Sequence, residues 1–352
     1  MKITQTDIAK MLGVTRTTVA RALNNSGPVN TELKERIVAL SKDLGYQADF
    51  KAKTLRMQKQ IAISVYLTNY YNSYFLDEVI QGLKLAKNEL KYENLVLNVH
   101  VLHEKTTQGQ MHEILRLIQN ENPEGIITIP LTEEAFEPIY SICKQDGILI
   151  ASLDMKLENF KPTFHVGPDY YAAGRLAGSL MKKFTKHKGK ILLLTPTEKF
   201  YSLEQRKKGF IEVVKENSSM DIQHIEVSLD SEWIKKSVIE TATANQEISG
   251  IYSTVKIDGL PEILSELGLT RKVKLIANDL FPNLIKYLKE DAVDAAIYFR
   301  PFLQGKVSLL KMFEMLVLNK KETEDISTHF DIVLDENVDL FNNPIENYKR
   351  YF

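Results

Sequence analysis

The sequence predicts two units of different fold class: a small all-α unit at the N-terminus and a large α/β body that divides into two lobes. Three observations support this prediction. Apolar residues follow helical spacing before residue 45, strands alternate with helices from residue 61 to residue 299, and the charge changes between the two parts. With 352 residues, 44% of them apolar, the chain is long enough for two or three ordinary globular domains.

Three short helical segments precede residue 46. Thr4 can cap the first segment, which ends at Gly13. Thr15 can cap the second, and the third starts at Asn30 or Thr31 and ends just before Gly45, a typical helix-ending residue. Three helices with a tight turn between the first two predict a helix-turn-helix unit.

The charge distribution separates this unit from the body. Residues 1–60 hold 11 basic and 5 acidic residues, a net charge of +6, which leaves 34 basic and 41 acidic residues in the other 292, a net charge of −7. A small basic unit before a mildly acidic body indicates a nucleic-acid-binding module joined to a second function. The alternative is an ordinary solvated surface with uneven charge.

The body alternates strands with helices, the pattern of parallel sheets covered on both faces. Its length favours two lobes over one sheet. In such sheets ligands bind beyond the carboxyl ends of the strands, so candidate site residues are those that follow each strand. The predicted strands are 61–67, 95–102, 125–129, 147–153, 190–194, 250–253, 273–277 and 294–299.

No apolar run reaches 18 residues, and no hydrophobic segment follows the N-terminus. The sequence therefore predicts no membrane span and no signal peptide, and hence a cytoplasmic protein. Cys143 is the single cysteine, which excludes an intrachain disulfide and fits a reducing compartment.

Several segments resemble the lactose-repressor (LacI/GalR) family of bacterial regulators. In the N-terminal unit the matching segments are 7–9, 12–15, 18–19, 23–24, 35–37, 44–46 and 52–56. In the body, segments 166–169, 173–177 and 278–279, together with Arg206, are similar to the family's effector domain, which is related to periplasmic sugar-binding proteins. The resemblance implies a two-lobed, periplasmic-binding-protein-like fold of type I behind an all-α helix-turn-helix headpiece.

The resemblance also implies domain boundaries. The headpiece is expected at residues 1–46, a hinge or linker at 47–60, and the effector domain at 61–352. Within the effector domain we expect an N-lobe of about 61–162 and 299–328, and a C-lobe of about 163–298 and 329–352.

The second helix is predicted to be the recognition helix, whose N-terminal residues meet base edges in the major groove. Arg16, Thr17 and Arg21 are the predicted base contacts, because arginine can donate two hydrogen bonds to guanine and threonine offers a hydroxyl and a methyl group. The predicted phosphate contacts or caps are Thr4, Thr15, Thr18 and Asn24.

The linker carries the remaining predicted DNA contacts, Lys53, Leu55 and Arg56. In the family this segment forms a hinge helix in the minor groove, and Leu55 matches the leucine that acts as a wedge between base steps. The alternative for Leu55 is a hydrophobic anchor for the linker. Ala48 and Asp49 depart from the proline and asparagine usual in the family, and an acidic group near phosphates should weaken binding slightly.

Effector-binding residues are predicted after the strands at Asn69, Tyr70, Tyr71, Tyr74, Asp154 and Ser253. The family resemblance implies the same role for Arg206, which lies in an Arg-x-x-Gly pattern, and for Asp279. Tyrosines suit stacking on a sugar ring or base, and carboxylates with a guanidinium suit hydrogen bonding to hydroxyls. The alternatives are aspartates that cap helices, tyrosines at a surface or interface, and an arginine in a solvated charge run. Ser253 and Thr254 stand where many relatives have asparagine and aspartate.

Motifs for catalysis and cofactors are missing from the sequence, which has no Walker loop, no zinc-binding His-Glu-x-x-His and no Gly-x-Ser-x-Gly elbow. We therefore predict no cofactor, no metal and no catalytic residue. The predicted function is a ligand-responsive regulator of a carbohydrate operon that binds a near-palindromic double-stranded operator as a homodimer, with a sugar as effector. The alternatives are a sugar-processing α/β enzyme with a basic extension, and a regulator that requires a protein co-repressor.

Overall fold

The computed structural model describes residues 3–24, 27–44, 59–68, 73–104, 106–197, 200–216, 219–227, 239–240, 248–254, 256–319 and 323–341. Three helices form the N-terminal unit: α1 (Gln5–Leu12), α2 (Arg16–Asn24) and α3 (Thr31–Asp43). Ile8, Val19 and Ile37, one from each helix, are fully buried and form its small core. The predicted helix-turn-helix arrangement is confirmed.

Two six-stranded sheets form the body. The first-lobe sheet contains β1 (Ile61–Leu67), β2 (Leu95–Val101), β3 (Gly125–Thr128), β4 (Leu149–Leu153), β5 (Phe164–Pro168) and β11 (Ile326–Thr328). The second-lobe sheet contains β6 (Lys190–Pro196), β7 (Asp221–Val227), β8 (Ile248–Ser253), β9 (Lys274–Asn278), β10 (Ala295–Tyr298) and β12 (Asp331–Val333). Their strand orders, β11-β5-β4-β3-β1-β2 and β12-β10-β9-β8-β6-β7, follow one plan. All pairs are parallel except β10 with β12, which confirms the predicted two-lobed α/β body.

Helices cover both faces of each sheet. On the first lobe these are α4 (Ser73–Leu90), α5 (Thr107–Glu121), α6 (Glu133–Asp146) and α11 (Pro301–Leu318). On the second lobe they are α7 (Tyr170–Phe184), α8 (Tyr201–Lys215), α9 (Leu260–Glu266) and α10 (Pro282–Lys289). Buried clusters of aliphatic and aromatic side chains fill each helix–sheet interface. A short 3₁₀ helix follows at Val338–Phe341.

Within the described residues the chain crosses between the lobes three times: from β5 to α7, from β10 to α11, and from β11 to β12. The predicted lobe boundary after residue 162 is wrong. Residues 164–168 form β5, which pairs with β4 and β11 of the first-lobe sheet, so the first crossing falls near Asp169. The short strands β5, β11 and β12, and the exposed edge strand β7, were also absent from the predicted strands.

Equivalent glycines define how the two lobes correspond. A Cβ atom on Gly82 of α4 would overlap the carbonyl oxygen of Phe302 on α11, so these helices cross backbone to backbone. In the second lobe, Gly209 of α8 makes the same approach to Tyr171 of α7. The pair α4 and α11 is therefore the counterpart of α8 and α7, and the lobes are pseudo-symmetric.

Across the part of the chain that the structure describes, no helix combines the length and the apolar character needed to span a bilayer.

Candidate functional site

Two aspartates in an unusual backbone conformation mark the carboxyl ends of the central strands. Asp154 follows β4 with φ 64°, and Asp279 follows β9 with φ 63°, both in the left-handed region. Their backbone N–H groups donate 2.8 Å hydrogen bonds to Val166 and Ile297, the equivalent carbonyls of β5 and β10. Aspartate tolerates this conformation better than most residues. The same turn thus presents one carboxylate from each lobe.

Arg206, on α8, lies with these carboxylates. Only 5% of its surface is exposed, and the guanidinium carbon sits 4.5 Å from the ring centre of Tyr170 and 4.3 Å from that of Phe299. Its Nε atom has no hydrogen-bond partner among the residues described. Burial alone would lower the pKa of Arg206, but Tyr170 and Asp279 raise it overall, so the side chain stays charged.

Tyr170 connects the lobes beside Arg206. Its hydroxyl donates a hydrogen bond to Oδ1 of Asp154, and burial, reinforced by the Asp154 charge, raises the pKa of Tyr170 well above its usual value. Burial likewise raises the pKa of Asp279 to about 6; Arg206 opposes the shift and Asp154 adds to it. We call Asp154, Tyr170, Arg206, Asp279 and Phe299 the effector site, after the role that the sequence predicts for Asp154, Arg206 and Asp279.

The ends of β8 and β9 are tied together next to this site. Nδ2 of Asn278 donates a 2.6 Å hydrogen bond to the carbonyl of Ser253, and the hydroxyl of Tyr252 lies 3.4 Å from Oδ1 of Asn278. Tyr252 in turn stacks on Phe210. Asn278 precedes Asp279 directly, so this bonding fixes the backbone from which the Asp279 carboxylate projects. Ser253 itself is fully buried.

A third carboxylate, which the sequence prediction missed, lies at the edge of the site. Glu78 on α4 accepts hydrogen bonds from the hydroxyl of Tyr298 and the backbone N–H of Phe302. Burial raises the pKa of Glu78 to about 7, these hydrogen bonds oppose the shift, and Asp279 adds to it. Glu78 stands between the buried apolar residues Leu76 and Val79, and that placement was the available sequence signal.

The predicted site residues are placed as follows. Asp154, Arg206 and Asp279 converge, and Ser253 lies beside them, its carbonyl accepting a hydrogen bond from Asn278. Tyr74 on α4 is 42% exposed, and Asn69, Tyr70 and Tyr71 lie outside the described residues. The alternative interpretations fail for two of these residues. Arg206 is too buried for a solvated charge run, and α10 takes Phe281 as its N-cap, so Asp279 does not cap that helix.

The headpiece presents its predicted base contacts outward. Arg16, Thr17 and Arg21 are exposed on α2, opposite the buried Val19 and Ala22. The predicted caps are present: Thr4 forms a capping box with Asp7, and Oγ1 of Thr15 accepts a 3.1 Å hydrogen bond from the N–H of Thr18. The side chain of Asn24 and the whole of Lys53, Leu55 and Arg56 lie outside the described residues.

Two other kinds of site receive no support from the described part of the chain. Within it, no group of three or more histidine, cysteine or carboxylate side chains is arranged to hold a metal ion. Cys143 is buried in α6, and burial raises its pKa to about 12, so the thiol stays protonated and weakly nucleophilic.

Family comparisons agree with this architecture. Residues 4–49 match the model of bacterial regulatory proteins of the lacI family, and residues 61–321 match a periplasmic binding protein domain. The chain therefore belongs to the lacI family of regulators, with a DNA-binding headpiece joined to a periplasmic-binding-protein-like effector domain.

Individual relatives are transcriptional regulators. The repressor PurR of Vibrio vulnificus is 24% identical over 93% of this chain and 94% of its own length, and the sucrose operon repressor of Staphylococcus xylosus is 25% identical over 68% and 70%. For the regulator RegA of Clostridium saccharobutylicum the match is 28% identical, but it spans only 34% of this chain and 35% of the relative.

Solved structures share the fold of the body. An arabinose-bound solute-binding protein from Burkholderia graminis superimposes with a TM-score of 0.73 at 18% identity, covering 80% of this chain and 98% of that one. The arabinose-binding protein AraP of Geobacillus stearothermophilus gives 0.70 at 21% identity, covering 80% and 100%. At these identities the likeness concerns the fold alone.

Proposed function

We propose that this protein is a cytoplasmic regulator of a carbohydrate-utilisation operon, which binds a near-palindromic operator as a homodimer and responds to a sugar. The observation that carries the proposal is the convergence of three charged side chains: Asp154 and Asp279, from equivalent strand ends of the two lobes, and Arg206 from α8. Tyr170 and Phe299 provide the apolar walls of the same site. Binding without turnover is the proposed role, in keeping with the family of regulators.

The chemistry of the effector site favours a neutral or weakly acidic sugar, or a short oligosaccharide. Carboxylates accept hydrogen bonds from hydroxyls. The buried guanidinium of Arg206, whose Nε has no partner among the described residues, can donate to a sugar oxygen. A strongly anionic ligand is disfavoured, because the two carboxylates of Asp154 and Asp279 face the one guanidinium of Arg206 in this site.

Effector binding would act on DNA through the angle between the lobes. A ligand that contacts Asp154 of the first lobe and Asp279 of the second stabilises whichever lobe angle allows both contacts. In a homodimer that angle sets how the two headpieces meet a two-fold operator. The exposed residues Arg16, Thr17 and Arg21 of α2 would read the major groove.

The experiment is a thermal-shift panel of neutral sugars, sugar acids, sugar phosphates and purines on the full chain. A ligand at one hundred times its dissociation constant should add about 2.7 kcal/mol of stability. Any ligand that stabilises the protein is then tested for its effect on binding to a selected operator. A panel in which purines or phosphates stabilise the protein and sugars do not would contradict the proposal, as would a sugar that leaves operator affinity unchanged.

A further inference from the structure

A cavity of about 360 Å³ lies beside the effector site and shares Asp154 and Tyr170 with it. We call it the Gln205 cavity. Both lobes contribute to its walls: Gly167 and Ser327 belong to the first-lobe sheet, whereas Tyr201 and Gln205 belong to α8 of the second lobe.

Pseudo-symmetry explains why this space is open. Gln205 occupies the position in α8 that Glu78 occupies in α4. Gly174 of α7 contacts Arg206, the residue after Gln205, in the same way that Gly305 of α11 contacts Val79, the residue after Glu78. Gly167 likewise occupies in β5 the position that Tyr298 occupies in β10. Each comes directly after the residue, Val166 or Ile297, whose carbonyl accepts a hydrogen bond from the backbone N–H of the strand-end aspartate.

On one side, Tyr298 and Glu78 meet in a hydrogen bond and fill the space. On the other side Gly167 has no side chain, so Gln205 has nothing equivalent to meet, and a cavity remains between the lobes.

The polar groups available in the cavity are uncharged. The Gln205 amide and the hydroxyls of Tyr201 and Ser327 make no hydrogen bond to any residue that the structure describes. The carboxylates in the walls are already engaged. Asp325 accepts from Lys156 at 2.7 Å and from the N–H of His165 at 2.9 Å, and Asp169 caps α7.

His165 adds one more neutral group. It is 4% exposed, its Nδ1 lies 2.8 Å from the hydroxyl of Ser152, and burial, with the Lys156 charge, lowers its pKa to about 3. Its Nε2 has no hydrogen-bond partner among the described residues and lies 2.5 Å from where a Cβ atom of Gly167 would stand. A deeply buried, uncharged imidazole thus forms part of the cavity wall.

We propose that the Gln205 cavity is a second ligand-binding site, for an uncharged cyclic polyol of about monosaccharide size. Its volume falls at the lower end of the range of about 300–1,000 Å³ typical of small-molecule sites. The tyrosine rings provide apolar faces, and the unengaged amide, hydroxyl and imidazole groups match the hydroxyls of a polyol. Because the cavity touches both lobes and the Tyr170–Asp154 hydrogen bond, its occupant acts on the same lobe angle as the effector.

The test uses the full chain with Arg206→Ala and Asp279→Ala, so that binding at the effector site is disabled. The probes are D-glucose, D-xylose and myo-inositol, compared with D-gluconate and D-glucosamine, and affinity is measured by saturation-transfer NMR. We expect at least one neutral probe to bind at least tenfold more tightly than both charged probes. Adding Ser327→Trp should fill the cavity and weaken that binding at least tenfold, whereas Ser265→Trp, on the exposed face of α9, should leave it unchanged.

Three results would overturn the proposal: charged probes that bind as tightly as the neutral ones, no binding by any probe, or equal affinities in the Ser327→Trp and Ser265→Trp proteins. If the Arg206→Ala and Asp279→Ala chain does not fold, crystals of the unmodified protein soaked in myo-inositol give the answer. Density beside Gln205 supports the proposal, and its absence there overturns it. If the Gln205 cavity binds no polyol, the proposed sugar response still stands, because that response is measured on the protein with an unmodified effector site.

Discussion

The hydroxyl of Tyr298, at the end of β10, donates a hydrogen bond to the carboxylate of Glu78 on α4, and so joins the second-lobe sheet to a first-lobe helix. The same carboxylate receives the backbone N–H of Phe302, near the start of α11, a helix whose N-cap residue Arg300 provides no side-chain cap. Glu78 therefore acts at the second crossing between the lobes, close to Asp279.

Protonation of Glu78 should make stability depend on pH. Burial raises its folded-state pKa from 4.5 to about 7, so the folded protein binds this proton more tightly than the unfolded chain. The stability that the protonated Glu78 carboxyl contributes is complete below pH 4.5 and is lost as the pH rises to 7. Relative to Glu78→Gln, the unmodified protein should lose about 1–2 kcal/mol of unfolding free energy between pH 5 and pH 8. This figure is smaller than the full pKa shift implies, because Glu78 is partly exposed. Urea unfolding at both pH values measures this loss. Asp279 titrates in both proteins, so its contribution cancels in the comparison. If the two proteins differ in unfolding free energy by the same amount at both pH values, Glu78 is not the titrating group.

Close packing of α4 on α11 should make Gly82 intolerant of any side chain. Gly82→Ala places a methyl group against the carbonyl oxygen of Phe302, a rigid backbone atom, and should cost about 1–3 kcal/mol or more. Lys84→Ala, on the exposed side of the same helix, is the matched control and should stay within about 0.5 kcal/mol. Denaturant unfolding compares the two variants. Equal stabilities would mean that the helices separate without cost.

Loss of either charged partner in the effector site should uncouple ligand from DNA. Asp279→Ala and Arg206→Ala should each abolish the response to the effector found in the ligand panel, while operator affinity without ligand stays within a few fold. Ser265→Ala, on the exposed face of α9, is the control. The measurement is operator affinity with and without the ligand. If both variants respond like the unmodified protein, the effector binds elsewhere.

Arg16 should read a base and not merely a phosphate. Arg16→Ala should cost about 1–3 kcal/mol of binding on the preferred operator and relax the base preference at one position of each half-site. Lys10→Ala, an exposed residue of α1, gives the comparison for general charge. Binding to a library of operator variants distinguishes the two roles. A uniform loss across all sequences would identify Arg16 as a phosphate contact.

The sequence predicted Asp154 because it follows a strand with a clear apolar run, and the carboxyl ends of parallel strands meet at one edge. Asp279 also follows such a strand, and its role was implied by the family resemblance. It missed Glu78 and Tyr298. The apolar neighbours of Glu78 indicate its burial but not its partner, because the contact with Tyr298 depends on where α11 crosses back to the first lobe. Strand β5 was missed because Gly167 and Pro168 interrupt its apolar run.

Strand β7 escaped prediction for a different reason. It lies at the edge of its sheet and is largely exposed, so its residues carry no buried run. Strands β11 and β12 have three residues each, fewer than a periodic pattern needs. The predicted lobe boundary moved to Asp169 as a direct result of the missed β5.

The late position of α11 in the chain has a consequence for how the protein is made. Leu309, Met312 and Phe313 of this helix are fully buried in the core of the first lobe, against strands that begin at residue 61. During synthesis, the N-terminal strands therefore leave the ribosome long before the helix that covers them. The first lobe must wait with an open apolar face until residue 318 has emerged, after nearly all of the second lobe has been translated. Both lobes should then mature together, and a chain that stops before α11 should be a substrate for chaperones and proteases.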